Sequence, residues 1–95
     1  MTAKDLTLNI AVNLGRIAKF AQEGRKNRVD QFLNETETYL ELLEKAKKHP
    51  RFKKTYDSFQ KKFYDLKNNI ELNDKWAEET LTWASILTHR AKLAD

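Results

Sequence analysis

Between Phe52 and Ile70 the large apolar residues fall at alternating steps of four and three: Phe52, Tyr56, Phe59, Phe63, Leu66 and Ile70. At about 100° per residue this spacing places all six on one narrow stripe of an α-helix. A half-buried strand needs alternation by two, which this segment lacks.

The same period runs through the rest of the chain. A first helix carries Leu6, Ile10, Asn13, Leu14, Ile17, Phe20 and Ala21 on one face. A second carries Val29, Phe32, Leu33, Thr36, Tyr39, Leu40 and Leu43, and a fourth Trp76, Thr80, Trp83, Ala84, Leu87 and Ala91. Punctuation separates the four. Thr2 and Asp5 have the spacing of a capping box, and Gly24 suits the position just past a helix end near Glu23. Asn27 with Asp30 has the spacing to open the second helix, which should run to about Lys48. The pair His49-Pro50 breaks the pattern, and Pro50 suits the first position of a third helix reaching about Glu71. Asn73 or Asp74 caps the fourth, which should extend to about Lys92.

Each helix is about 20 residues, or roughly 30 Å long. Loops of two to four residues force successive helices antiparallel. The expectation is an all-α, four-helix up-down-up-down antiparallel bundle with short loops, forming one domain over residues 1–95. Two helical hairpins that pair with a second chain are the competing arrangement.

Composition narrows the chemistry. Only two glycines and one proline argue against a turn-rich β-sandwich or barrel. The absence of cysteine removes disulfides, thiolate metal sites and a cysteine nucleophile. The longest uncharged run, Leu6 to Gly15, is far short of the roughly 20 apolar residues that span a bilayer. Asp5, Arg16 and Lys19 interrupt any secretory core at the start of the chain. A cytoplasmic location with no membrane contact is expected. His49 and His89 have no partnering carboxylate at metal-ligand spacing. Glu35, Glu37, Glu41 and Glu44 form a solvated outer face, supported by Glu41–Lys45 and Glu44–Lys48 at i,i+4. Neither a catalytic constellation nor a phosphate loop is present, so no enzyme activity, cofactor, metal or small-molecule substrate is expected.

Two features point outward. The first helix has a second apolar face, Leu8, Ala11, Val12, Gly15 and Ala18, opposite its core stripe. A helix apolar nearly all round is covered from more than one side. This face, merging with Ile86 and Leu93 of the fourth helix, is expected to bind another copy of the chain or a protein partner. Among the polar residues of the core faces, Asn13 is expected at the seam edge in contact with water, and Thr36 and Thr80 to bond back to the preceding turn.

The second feature is cationic. Lys45, Lys47, Lys48, Arg51, Lys53 and Lys54 crowd the turn around His49 with no acid among them. Bundle topology would add Lys4, Arg90 and Lys92 at the same end. Lysines late in the second helix complement its C-terminal dipole, but Lys53 and Lys54 open the third, where the dipole disfavours them. The function expected is a small non-enzymatic interaction or accessory module that self-associates through the first helix. The alternative is a nucleic-acid-binding accessory protein touching phosphates through Lys47, Lys48, Arg51, Lys53 and Lys54; Tyr64, the one aromatic off the stripe of the third helix, is a poor stacking platform that adds one contact at most.

Overall fold

A computed structural model describes all residues, 1–95. Four helices make up the chain: α1 (Ala3–Gln22), α2 (Lys26–Lys45), α3 (Lys53–Asn68) and α4 (Asp74–Arg90). Short 3₁₀ turns, Pro50–Phe52 and Ala91–Leu93, precede α3 and follow α4. Helix covers 83% of the chain and no strand forms. The molecule measures 37 × 20 × 19 Å, as expected for helices lying along one long axis. No helix is long and apolar enough to cross a membrane.

The helix ends show why the chain turns where it does. Thr2 and Asp5 form the full capping box, with Asp5 N donating to Thr2 Oγ1 at 3.1 Å. At the far end Gly24 adopts φ +69°, and the pair Arg25 N→Phe20 O and Gly24 N→Ala21 O closes a Schellman turn. That turn is so tight that α2 begins at Lys26, and Asn27 is already inside it. The expected Asn27 cap is therefore absent, and Asp30 pairs with Lys26 at 2.9 Å instead. Helix α2 ends at Lys45, short of the expected Lys48. Helix α3 ends at Asn68, where Asn69 Nδ2 donates to Asp65 O. Asn73 caps α4 as anticipated, its Oδ1 accepting from Trp76 N at 2.9 Å.

The helices pack in cyclic order. Phe20 of α1 stacks on Phe32 of α2 with ring centroids 5.6 Å apart. Glu37 of α2 pairs with Lys67 of α3. Phe59 of α3 packs on Trp83 of α4 at 5.7 Å. Lys4 N at the start of α1 donates to Asp95 Oδ1 just beyond α4. One hydrophobic core fills the space between the four.

The closest packing is between α1 and α4, whose Cα atoms approach within 8 Å along the seam. The residue types explain it. Ala77, Ala84 and Ala91 lie seven apart on α4 and its following turn, and Ala11 and Ala18 lie seven apart on α1; all five are buried. Alanine keeps no side chain between the backbones. Helix α3 is the opposite case: Phe59, Phe63 and Tyr56 hold its backbone away from its neighbours.

Three of the buried polar residues satisfy themselves. Thr7, Thr36 and Thr80 hydroxyls donate to Ala3 O, Phe32 O and Trp76 O, four residues back. Asn13 differs from expectation. It is 2% exposed, not hydrated at the seam edge, because Phe20 and Phe32 close over that flank of α1. Its Oδ1 accepts from Arg16 at 3.3 Å, while its Nδ2 has no partner.

Two substitutions on α1 should separate core from surface. In Gly15→Ala the new Cβ meets nothing within 4 Å, so stability should rise by about 0.5–1 kcal/mol. Ala18→Leu overfills the α1–α4 seam and should cost about 1–3 kcal/mol. Urea denaturation of the dilute protein reads both.

Candidate interaction surfaces

The second apolar face of α1 divides into two parts. Ala11 and Ala18 are 5% and 3% exposed and belong to the chain's own core. Their small side chains serve the approach of α4, so they are not available to a partner. Leu8 and Gly15 remain half-buried, and Val12 stands 53% exposed. The outward strip is thus Leu8, Val12 and Gly15. Ile86 does not extend it: it lies three residues after Trp83 and four before Arg90, both of which contact α3. Leu93 packs against the core. The residue that adjoins the strip is Leu81, 53% exposed, on the flank of α4 shared with Ala77 and Ala84. Its sequence signal was its place between two heptad alanines, recessed residues that leave a leucine standing on the rim.

At one end of the bundle the chain's start, the α2–α3 turn and the chain's end are tied together. His49 N donates to Ala94 O at 2.9 Å. Arg51 Nε donates to Leu93 O at 3.3 Å, and its terminal nitrogen reaches Lys92 O and Asp95 O. Arg90 donates to Thr55 Oγ1 at 3.2 Å. Lys4, Lys45, Lys47, Lys48, Arg51, Lys53, Lys54, Arg90 and Lys92 gather here against Asp5, Glu44, Asp57 and Asp95. Nine cations against four acids leave this end with an excess of five, more than the chain's whole net charge of +4. At the opposite end charges cancel locally, as in Arg25–Glu23 at 3.6 Å and Lys26–Asp30.

The five cations singled out from the sequence have unequal roles. Lys48 Nζ donates to Leu43 O, Glu44 O and Ala46 O at 2.6–3.0 Å, which closes the exposed carbonyls at the end of α2. It also lies 4.8 Å from the Tyr56 ring centroid. Arg51 holds the C-terminal turn through the three carbonyls above. Both are therefore structural. Lys53 pairs with Asp57 at 2.7 Å, which explains how a cation is tolerated in the first turn of α3. Lys47 and Lys54 are exposed and have no carboxylate partner. Lys61, two turns beyond Lys54 on the same face of α3, is a further exposed, unpaired cation that the charge run did not include.

No known protein family, curated protein or solved structure matches this chain. Its surfaces must be interpreted from their own chemistry.

The two histidines serve backbone groups: His49 Nδ1 accepts from Arg51 N, and His89 Nδ1 sits 2.8 Å from Ser85 O. No three His, Asp or Glu side chains converge as metal ligands would. A hollow of about 500 Å³ at the basic end is lined by Ala3, Ala46, Pro50 and Ala94 and by the residues at both chain ends. Tyr64 does not present a stacking face. It is half-buried, packs edge-on to Phe63 at 5.4 Å and lies beside Glu37.

Burial pushes the Tyr64 phenol above its ordinary range, and the Glu37 carboxylate adds to the effect. Tyr56 is raised for the same first reason, with Glu44 and Asp57 contributing. Its hydroxyl is buried without a hydrogen-bond partner. A raised phenol favours the neutral form in the folded state. The stability it contributes is complete below the unfolded value of about 10 and is lost as pH climbs through the folded value. Tyr56→Phe should leave stability at pH 7 unchanged or slightly higher, because only an unpaired hydroxyl is removed. Together with Tyr64→Phe it should flatten the loss above pH ~10, measured by denaturation across pH 7–11 against the parent.

Proposed function

We propose that this protein is a small non-enzymatic interaction module that pairs with a second copy of itself through the outer strip of α1. The observation that carries the reading is the pattern along that strip. Asp5, Val12 and Lys19 lie seven residues apart on the solvent side of α1, and all three are exposed. Two α1 helices set antiparallel across a two-fold axis at Val12 bring each Asp5 opposite the partner's Lys19. The same patch then meets itself, as a two-fold dimer requires. Leu8 and Leu81 supply apolar area beside the axis, and Gly15 lets a neighbouring backbone come close. Lys19 has no carboxylate partner within its own chain, so its charge is available for the pairing.

Light scattering over a concentration series tests the reading. The parent should pass from monomer to dimer as concentration rises. Val12→Arg places two like charges face to face on the axis and should weaken association at least ~10-fold, equivalent to about 1.4 kcal/mol. Helicity should not change, because Val12 packs on nothing in its own chain's core. Lys19→Asp should weaken association as well. A parent that stays monomeric at about millimolar concentration removes the proposal.

A further inference from the structure

We propose that three of the free cations around the α2–α3 turn and along α3, Lys47, Lys54 and Lys61, together with Lys53, form a surface that binds the phosphodiester backbone of a nucleic acid. The inference rests on what the fold does with its charges. Lys48 and Arg51 are held by main-chain carbonyls, so the turn keeps its shape without its remaining lysines. Lys47, Lys54 and Lys61 have no such employment. Lys54 in particular sits in the first turn of α3, where the helix dipole opposes it, and the nearby Asp57 is paired with Lys53 instead. Folding gains nothing from that placement, and an anionic partner would.

The geometry suits a chain of phosphates. Lys54 and Lys61 stand seven residues apart, about 10.5 Å along α3. Ser58 lies between them on the same face as a hydroxyl donor. With Pro50, Lys53 and Asp57 these residues line a shallow open depression of about 430 Å³. No exposed aromatic borders it, so the contact would follow phosphates and not read bases. An anionic membrane fits less well, since of the large exposed apolar residues only Met1 lies at this end, while Val12, Leu42, Leu72 and Leu81 lie elsewhere.

Fluorescence anisotropy with labelled 20-nucleotide poly-U, poly-dT and a 20-base-pair DNA duplex tests this at 20 and 200 mM salt. Binding should appear at low salt. Across that tenfold rise it should fall by about 10³-fold on the duplex, the response to three or four neutralised phosphates. The two single strands and the duplex tell apart which form of backbone the surface follows. The triple variant Lys47→Glu, Lys54→Glu, Lys61→Glu should lose binding at unchanged or higher melting temperature, because Lys54→Glu puts an acid where the dipole favours one. Lys48→Met should do the reverse: lower the melting temperature and retain binding. The proposal fails if no probe binds at 20 mM salt, or if the triple variant binds as the parent does. It fails equally if polyglutamate or phosphatidylserine vesicles bind as tightly as nucleic acid. Val12→Arg should leave nucleic-acid affinity per chain unaltered, which keeps this test separate from that of self-association.

Discussion

The alanine seam between α1 and α4 fixes the geometry of the rest. Ala11 and Ala18 on one side, and Ala77, Ala84 and Ala91 on the other, remove side-chain bulk from the contact and let two backbones lie close. Once α1 and α4 are drawn together, α2 and α3 must complete the bundle on the remaining side. Helix α3 can do so only with large side chains, because the space left is wide. Its stripe of Phe52, Tyr56, Phe59 and Phe63 fills that space. Small residues at one contact and aromatic residues across from it are two halves of one packing solution.

A second constraint acts at the end where the termini meet. Helix ends leave carbonyls without intrahelical partners. Here lysine and arginine side chains serve them. Lys48 closes α2 and Arg51 closes the turn after α4, while His49 joins the two by a main-chain bond to Ala94. A run of cations that looks uniform in sequence is thus divided between holding the fold and facing solvent.

These two constraints decide what was legible from the sequence. The stripe on α3 was unambiguous because large apolar residues have no other place to go. The caps at Thr2 and Asn73 and the stop at Gly24 were equally plain, since few residue types perform those tasks. Ala11 and Ala18 are ambiguous in sequence because alanine is tolerated on either side of a helix. Only the matching heptad alanines of α4 show which side they serve. Asn27 has the spacing of a cap, but spacing alone does not carry how tight the preceding turn is. The roles of Lys48 and Arg51 were hidden for a different reason. Their partners are main-chain carbonyls, which every residue carries, so no pattern of residue types announces them.

The two proposed surfaces bear on each other through the order of the helices. Going round the bundle α1 lies between α2 and α4, so α3 is diagonal to it. A second copy seated on the outer strip of α1 leaves the lysines of α3 uncovered. In the antiparallel arrangement centred on Val12 the two basic ends would point away from each other, at opposite ends of the pair. A dimer of that form would offer two separated cation clusters to one long polyanion. Binding at the second cluster is then intramolecular, and its gain depends on whether the strand can span the distance between the ends. Short probes would engage one end at a time, while longer ones would engage both and bind more tightly only when Val12 is intact. Length-dependent affinity that disappears in Val12→Arg would therefore link the two surfaces, and length-independent affinity would show that they act apart.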